Sequence, residues 1–182
     1  MCARPPLAEM PMTHIHMTEL SRFDAPWLSQ MHRQAFTPAW SRQSFEDLLK
    51  LPTTRGWWAW YGEHEENGEN AEPGQTATQA QAPLGFILFQ VHDEEAEILT
   101  FQVDQSHQRK GVGRSLLCHA ITTLGRFGAQ RFYLDVAVSR LGAIELYQSQ
   151  GFVVAGHRKN YYRGRDAHDH EDALVMQLTL NS

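Results

Sequence analysis

Cysteine is almost missing from this chain of 182 residues: Cys2 and Cys118 are present, and neither belongs to a Cys-x-x-Cys pair. That argues against a disulfide framework or a zinc knuckle and suits a reducing compartment. No apolar run approaches the ~20 residues that a membrane-spanning helix requires. The opening stretch, MCARPPLAEMPMTH, has no long apolar segment like that of a secretory signal. A cytoplasmic protein without a membrane partner is therefore expected. Positive charge is short as well, with 16 Lys and Arg against 21 Asp and Glu and a net charge of −5. Direct nucleic-acid binding, which rests on basic surfaces, is not expected. Ten histidines are present, but the nearest pairs, His14-x-His16 and His168-x-His170, lack a clear third ligand, so no metal site is expected.

The length fits one domain, and 42% hydrophobic residues suffice for a core. Residues 1–12, with Pro5, Pro6 and Pro11, read as a flexible tail, and 13–180 as the folded domain. A strand is expected around His14–Met17. Asp24-Ala-Pro26 looks like a helix start, with the helix running to about Phe36. Ser41 caps a second helix, whose Phe45, Leu48 and Leu49 recur at helical spacing. Trp57–Tyr61 is β-prone. Residues 62–83 are polar throughout and read as a flexible insertion loop.

Strands follow over Leu84–Val91 and Glu97–Val103, joined by a turn at Asp93-Glu94. A helix runs from Gly111 to about Phe127, with Leu116, Leu117, Ala120, Ile121 and Leu124 on one face. Arg131–Val138 is a strand, and Ser139 caps a helix that ends before Gly151. Phe152–Arg158 and Ala173–Leu180 complete the set, joined by a polar loop that begins at Asn160, Tyr161 and Tyr162. A hairpin followed by alternating helices and strands makes a mixed α/β domain.

The segment HQRKGVGRSLL carries the chemistry. Gln108, Arg109, Lys110, Gly111, Val112, Gly113 and Arg114 stand between a strand and a helix. Unpaired amides and the positive dipole end at a helix start attract an anion. Glycines let the backbone approach a phosphate, and Arg109 and Lys110 add charge. A dinucleotide fingerprint needs a glycine where Leu116 stands, and a Walker A loop needs Gly-Lys-Ser/Thr, so both fail.

The pattern Gln108-x-x-Gly111-x-Gly113 after a strand ending in Val103-Asp104 resembles motif A of the GNAT acetyltransferase superfamily. YLDVAVSRLGAIELYQSQGF (133–152), NYY, EDALVMQL and AFTPAWSRQSF (35–45) are similar to its ribosomal-protein alanine N-acetyltransferase (RimI-type) branch. The resemblance covers about residues 13–180. It implies a single-domain GNAT fold, a mixed and mostly antiparallel sheet splayed at the cofactor site and flanked by helices. It implies acetyl-coenzyme A as co-substrate, with the glycine turn on its pyrophosphate. Main-chain groups of Phe101 and Val103 would lie along the pantetheine arm, and Gln102 between them would also touch the cofactor. The acceptor it implies is a protein N-terminal amine, that of a ribosomal protein.

In the resemblance Tyr147 protonates the leaving thiolate. Asp135 stands where the branch has a glutamate base, one methylene short, and Glu97 is the rival base. Arg140 replaces an asparagine that contacts the cofactor or fixes the local loop. Trp40, Tyr161 and Tyr162 would border the acceptor. A small-molecule or lysine acetyltransferase, or a non-catalytic acyl-coenzyme A sensor, stays open on these residues. Oligomeric state is not legible.

Overall fold

The computed structural model describes residues 15–61, 82–163 and 170–180. The tail 1–12, nearly all of the 62–83 insertion, His14 and His168 lie outside the described residues. Pro83, expected at the end of the insertion, is already buried.

The elements run β1 (Ile15–Glu19), α1 (Ala25–Ala35), α2 (Arg42–Lys50), β2 (Thr54–Tyr61), β3 (Gly85–His92), β4 (Glu95–Val103), α3 (Val112–Leu124), β5 (Arg131–Ala137), α4 (Leu141–Ser149), β6 (Val153–Arg163) and β7 (His170–Thr179). The seven strands form one sheet in the order β1-β2-β3-β4-β5-β7-β6. All neighbours are antiparallel except β4 and β5. One face carries Trp57, Phe89 and Phe132, packed in one cluster with Leu116 and Leu117 of α3, Tyr147 of α4 and Phe152 just after it. The other carries Trp58, Phe86 and Leu88 against α1 and α2, through Leu28, Met31 and Phe45. Buried aromatic and aliphatic side chains on both faces supply the main stabilisation.

The parallel pair positions the site. It spans Glu95↔Arg131, Ala96↔Phe132 and Glu97↔Tyr133, then stops. Both strands continue, β4 to Val103 and β5 to Ala137, so they part like the arms of a V. β5 is held away on its other edge by seven register pairs with β7, from Arg131↔Thr179 to Ala137↔Ala173. A register shift in the β3–β4 pairing leaves Leu99 without a partner and turns the end of β4 over. Ala96 and Ile98 face α3 before it, and Phe101 and Val103 face α3 after it.

Two expectations need correction. Ser139 does not cap α4. Arg140 holds the N-cap position without a side-chain bond, and the Ser139 amide donates to the Glu171 carboxylate at 2.8 Å. Asn160, Tyr161 and Tyr162 do not open a loop but extend β6, past an irregularity between Arg158 and Tyr162 where Asn160 takes φ +53°. Gly151 does end α4 as expected. At φ +92° it lets its own amide reach the Gln148 carbonyl and that of Phe152 reach Tyr147, a Schellman closure.

Candidate active site

The glycine turn sits at the open end of the V. Arg109 (φ +60°) and Gly111 (φ +88°) are both left-handed, which curls the chain just before α3. The first main-chain bond of α3 is Ser115 N–H to Gly111 C=O at 2.9 Å. The amides of Gly111, Val112, Gly113 and Arg114 donate no hydrogen bond among the described residues. A Cβ built on Gly111 would meet nothing within 4 Å, so the space beside Gly111 is open. Lys110 and Arg114 are exposed, and Arg109 reaches across to Glu145 of α4 at 4.0 Å. Open amides, a helix N-terminus and three cations fit a polyphosphate.

Gly113 is close-packed instead. A Cβ there would stand 3.3 Å from Leu146 and 3.5 Å from Phe101 and Val103. The start of α3 is thereby seated on the end of β4 and on α4.

Phe101 and Val103 present their main chain to the gap. The Asp104 amide bonds Leu84 on the β3 side at 2.8 Å. Backbone groups alternate between the two edges of a strand, so those of Phe101 and Val103 point the other way, where pairing has ended. The Val103 carbonyl accepts from the Gln108 side chain at 3.2 Å. Gln102, expected in the same contact, is turned away. Its buried carboxamide donates to the Met31 carbonyl at 2.8 Å and ties β4 to α1.

Tyr147, on α4, enters the gap from the α3 face. It is 7% exposed and packs between Phe101 and Phe152, at ring distances of 6.3 and 5.8 Å. Its hydroxyl makes no hydrogen bond among the described residues. Burial, and then the Tyr162 hydroxyl, hold its pKa well above the ordinary tyrosine value, so the proton is retained at neutral pH.

Asp135 stands on the opposite face. Its side chain is 10% exposed, and neither carboxylate oxygen accepts a hydrogen bond among the described residues. Arg158 Nη1 lies 3.4 Å from Oδ2. The Tyr162 hydroxyl donates to the Asp135 carbonyl at 3.1 Å. Burial and then the Asp135 charge push the Tyr162 pKa up to about 12. Tyr161 is 45% exposed, edge-on to Tyr162, with Arg158 over its ring at 5.0 Å.

Beside Asp135 lies a cleft of about 350 Å³ that takes in Glu97, Glu95, His92, Tyr133 and Arg158. Glu97 is on its exposed flank, at the level where the strands still pair.

The remaining candidates are placed as follows. Trp40 does not border the cleft: its ring stacks on His32 at 5.2 Å and leans on Phe45. His107, at the start of the turn, is part-buried and edge-on to Tyr61, and its Nδ1 lies 3.2 Å from the Asp104 Oδ1. Arg140 is exposed at the start of α4. Arg158 was not foreseen. It comes from β6, two strands from Asp135, and no local pattern in the sequence signals that meeting.

Residues 26–152 match the model of the acetyltransferase (GNAT) family. The [ribosomal protein bS18]-alanine N-acetyltransferase of Escherichia coli strain K12 is 31% identical over 165 residues, 91% of this chain and 97% of that protein. The crystal structure of the ribosomal-protein-S18-alanine N-acetyltransferase from Escherichia coli superposes with a TM-score of 0.73 and 28% identity, covering 93% of this chain and 96% of that one. Arabidopsis thaliana NAA60 in complex with acetyl-CoA shares the fold at a TM-score of 0.71 and 17% identity, over 93% of this chain and all of the other (100%).

Proposed function

This chain belongs to the GNAT acetyltransferase family and is an acetyl-coenzyme A-dependent N-acetyltransferase, and from that premise we propose that its acceptor is the N-terminal α-amine of alanine on ribosomal protein bS18. The observation that carries the reading is the parting of β4 and β5, with Asp135 and Tyr147 on its two sides. The acceptor named for the relatives adds to it. A ribosomal acceptor puts the reaction in the cytoplasm.

Acetyl-coenzyme A supplies a thioester carbonyl to be attacked. The amides of 111–114 hold the diphosphate, with Arg109, Lys110 and Arg114 around it. Phe101 and Val103 offer main-chain groups to the pantetheine arm, and one of their amides steadies the oxyanion. Asp135 takes the ammonium proton, directly or through one water that makes up for its shorter side chain. An α-amine with a pKa of ~7.7–8.0 is neutral to the extent of about 10% at pH 7, so modest base assistance is enough. Tyr147 gives its proton to the departing sulfur. Transfer is direct, because Cys118 donates to Gln150 at 2.9 Å, outside the gap. Glu97 is not the base in this account, since it is solvated and lies below the opening. Tyr161 and Tyr162 border the acceptor.

The test is an acceptor screen with purified protein and acetyl-coenzyme A, read by mass spectrometry. Peptides with a free N-terminal alanine are expected to be acetylated ahead of polyamines and of lysine side chains. Binding of acetyl-coenzyme A without transfer to any acceptor would contradict the proposal.

A further inference from the structure

Resting on the reading of Asp135 as the base, we infer that Arg158 is the positioning residue for that base. It faces one oxygen of the Asp135 carboxylate, supplies the counter-charge and leaves the other oxygen to take the proton of the acceptor amine.

Asp135 is a charge largely withdrawn from water, and the cleft around it is negative. Glu95, Glu97 and Asp135 line that cleft, and Arg158 is the one guanidinium lining it among the described residues. Glu95 has its own cation, Arg131 at 3.1 Å, from outside the cleft. β7 offers Asp135 no charge, since Val175 stands opposite it. The neighbours of Asp135 on its own face of β5, Tyr133 and Ala137, carry none either. Arg158, from β6, is therefore the group that answers Asp135, and a buried carboxylate without such a partner is costly.

The contact is one-sided. Arg158 Nη1 lies 3.4 Å from Oδ2, and no hydrogen bond holds either oxygen among the described residues. A guanidinium gripping with both nitrogens would occupy both oxygens. One nitrogen beside Oδ2 leaves Oδ1 for the amine.

Arg158 is itself braced. Its guanidinium lies over the Tyr161 ring at 5.0 Å, and Tyr161 stands edge-on to Tyr162 at 5.1 Å. The Tyr162 hydroxyl donates to the Asp135 carbonyl at 3.1 Å. One stretch of β6 thus holds Asp135 by its main chain and by its side chain. Strict alternation would put Arg158 and Tyr161 on opposite faces, and the irregularity between the pairs Arg158↔Ala173 and Tyr162↔Glu171 brings them together. That irregularity is pinned by the Asn160 amide, which donates to the Asp172 carboxylate at 2.8 Å.

The experiment measures kcat of Arg158→Met, Arg158→Lys, Asp135→Asn and the Arg158→Met, Asp135→Asn double variant on a peptide with a free N-terminal alanine. Calorimetry with acetyl-coenzyme A checks that each variant is folded. Arg158→Met should lose about tenfold in kcat, a part of the ~100-fold that a well-placed base contributes, with acetyl-coenzyme A affinity unchanged. Arg158→Lys should stay within about threefold of wild type, because a single nitrogen makes the contact. Adding Arg158→Met to Asp135→Asn should cost nothing further in kcat, since the arginine acts through the carboxylate. Losses that multiply in the double variant would overturn the inference. So would a wild-type kcat in Arg158→Met, or a lysine variant as slow as the methionine one. A wild-type kcat in Asp135→Asn would instead remove the base on which the inference rests, and the inference with it.

Discussion

Arg158 Nη1 lies 3.4 Å from Oδ2 of a carboxylate, that of Asp135, whose two oxygens accept no hydrogen bond among the described residues. The guanidinium is half exposed and the carboxylate is not, so the pair is asymmetric. Removing the cation strands a buried charge, whereas removing the carboxylate returns the arginine to water. Arg158→Met is expected to lower stability by about 1 kcal/mol, the exposed arginine being partly screened. Asp135→Asn in that background should recover most of the loss. Urea denaturation of the two single variants and the double variant checks it, and additive losses would contradict the pairing.

Asp135→Asn should cut kcat/KM by about 100-fold or more and leave acetyl-coenzyme A affinity unchanged, since the carboxylate faces the acceptor side of the sheet. Steady-state kinetics together with calorimetry read the two quantities separately.

Tyr147→Phe keeps the ring between Phe101 and Phe152 and deletes a hydroxyl that bonds nothing among the described residues. Its thermal midpoint should match wild type. Its kcat should fall by about 100-fold, with no loss of coenzyme A affinity. An unchanged kcat would remove Tyr147 from the proton transfer.

Gly111 and Gly113 separate two effects. At φ +88° and with open space around it, Gly111→Ala pays for backbone conformation alone, about 1 kcal/mol, and disturbs the amide cradle. It should raise KM for acetyl-coenzyme A more than KM for the peptide. Gly113→Leu forces a large side chain against Leu146 and Phe101 and should destabilise through overpacking, by about 1–3 kcal/mol.

His32 sets an acid limit on stability. It is 3% exposed, stacked on Phe36 at 4.2 Å, and its Nδ1 accepts from the Trp40 amide at 3.1 Å. Burial lowers its pKa to about 4 from 6.5. The folded state therefore binds this proton less readily than the unfolded chain. The contribution is fully present above pH 6.5 and is lost as pH falls through the folded value. The loss is on the order of 2 kcal/mol. Urea midpoints of wild type should drop between pH 7 and pH 4.5 by more than those of His32→Gln.

The glycine turn could be read from the sequence because its signals are local: two glycines, flanking cations and a helical repeat that begins at once. The order of strands and helices was legible for the same reason. Non-local pairings were not. The irregularity at Leu99 reverses which side chains of β4 face inward, and strict alternation gives no warning of it; Gln102, which the resemblance put at the cofactor, is found against α1. The polar run after Arg158 breaks the β pattern, yet Tyr162 still pairs with Glu171 and its hydroxyl still bonds the Asp135 carbonyl. Ser139 looked like a cap, but Glu171, 32 residues away, takes its amide.

The most direct trial uses one peptide in two forms, each containing an internal lysine: one with a free N-terminal alanine, the other with that amine formylated. Incubated with the protein and acetyl-coenzyme A and sequenced by tandem mass spectrometry, the free form should carry acetyl on its α-amine and the blocked form should stay unmodified. Acetylation of the lysine at equal rates in both forms would contradict transfer to an N-terminus.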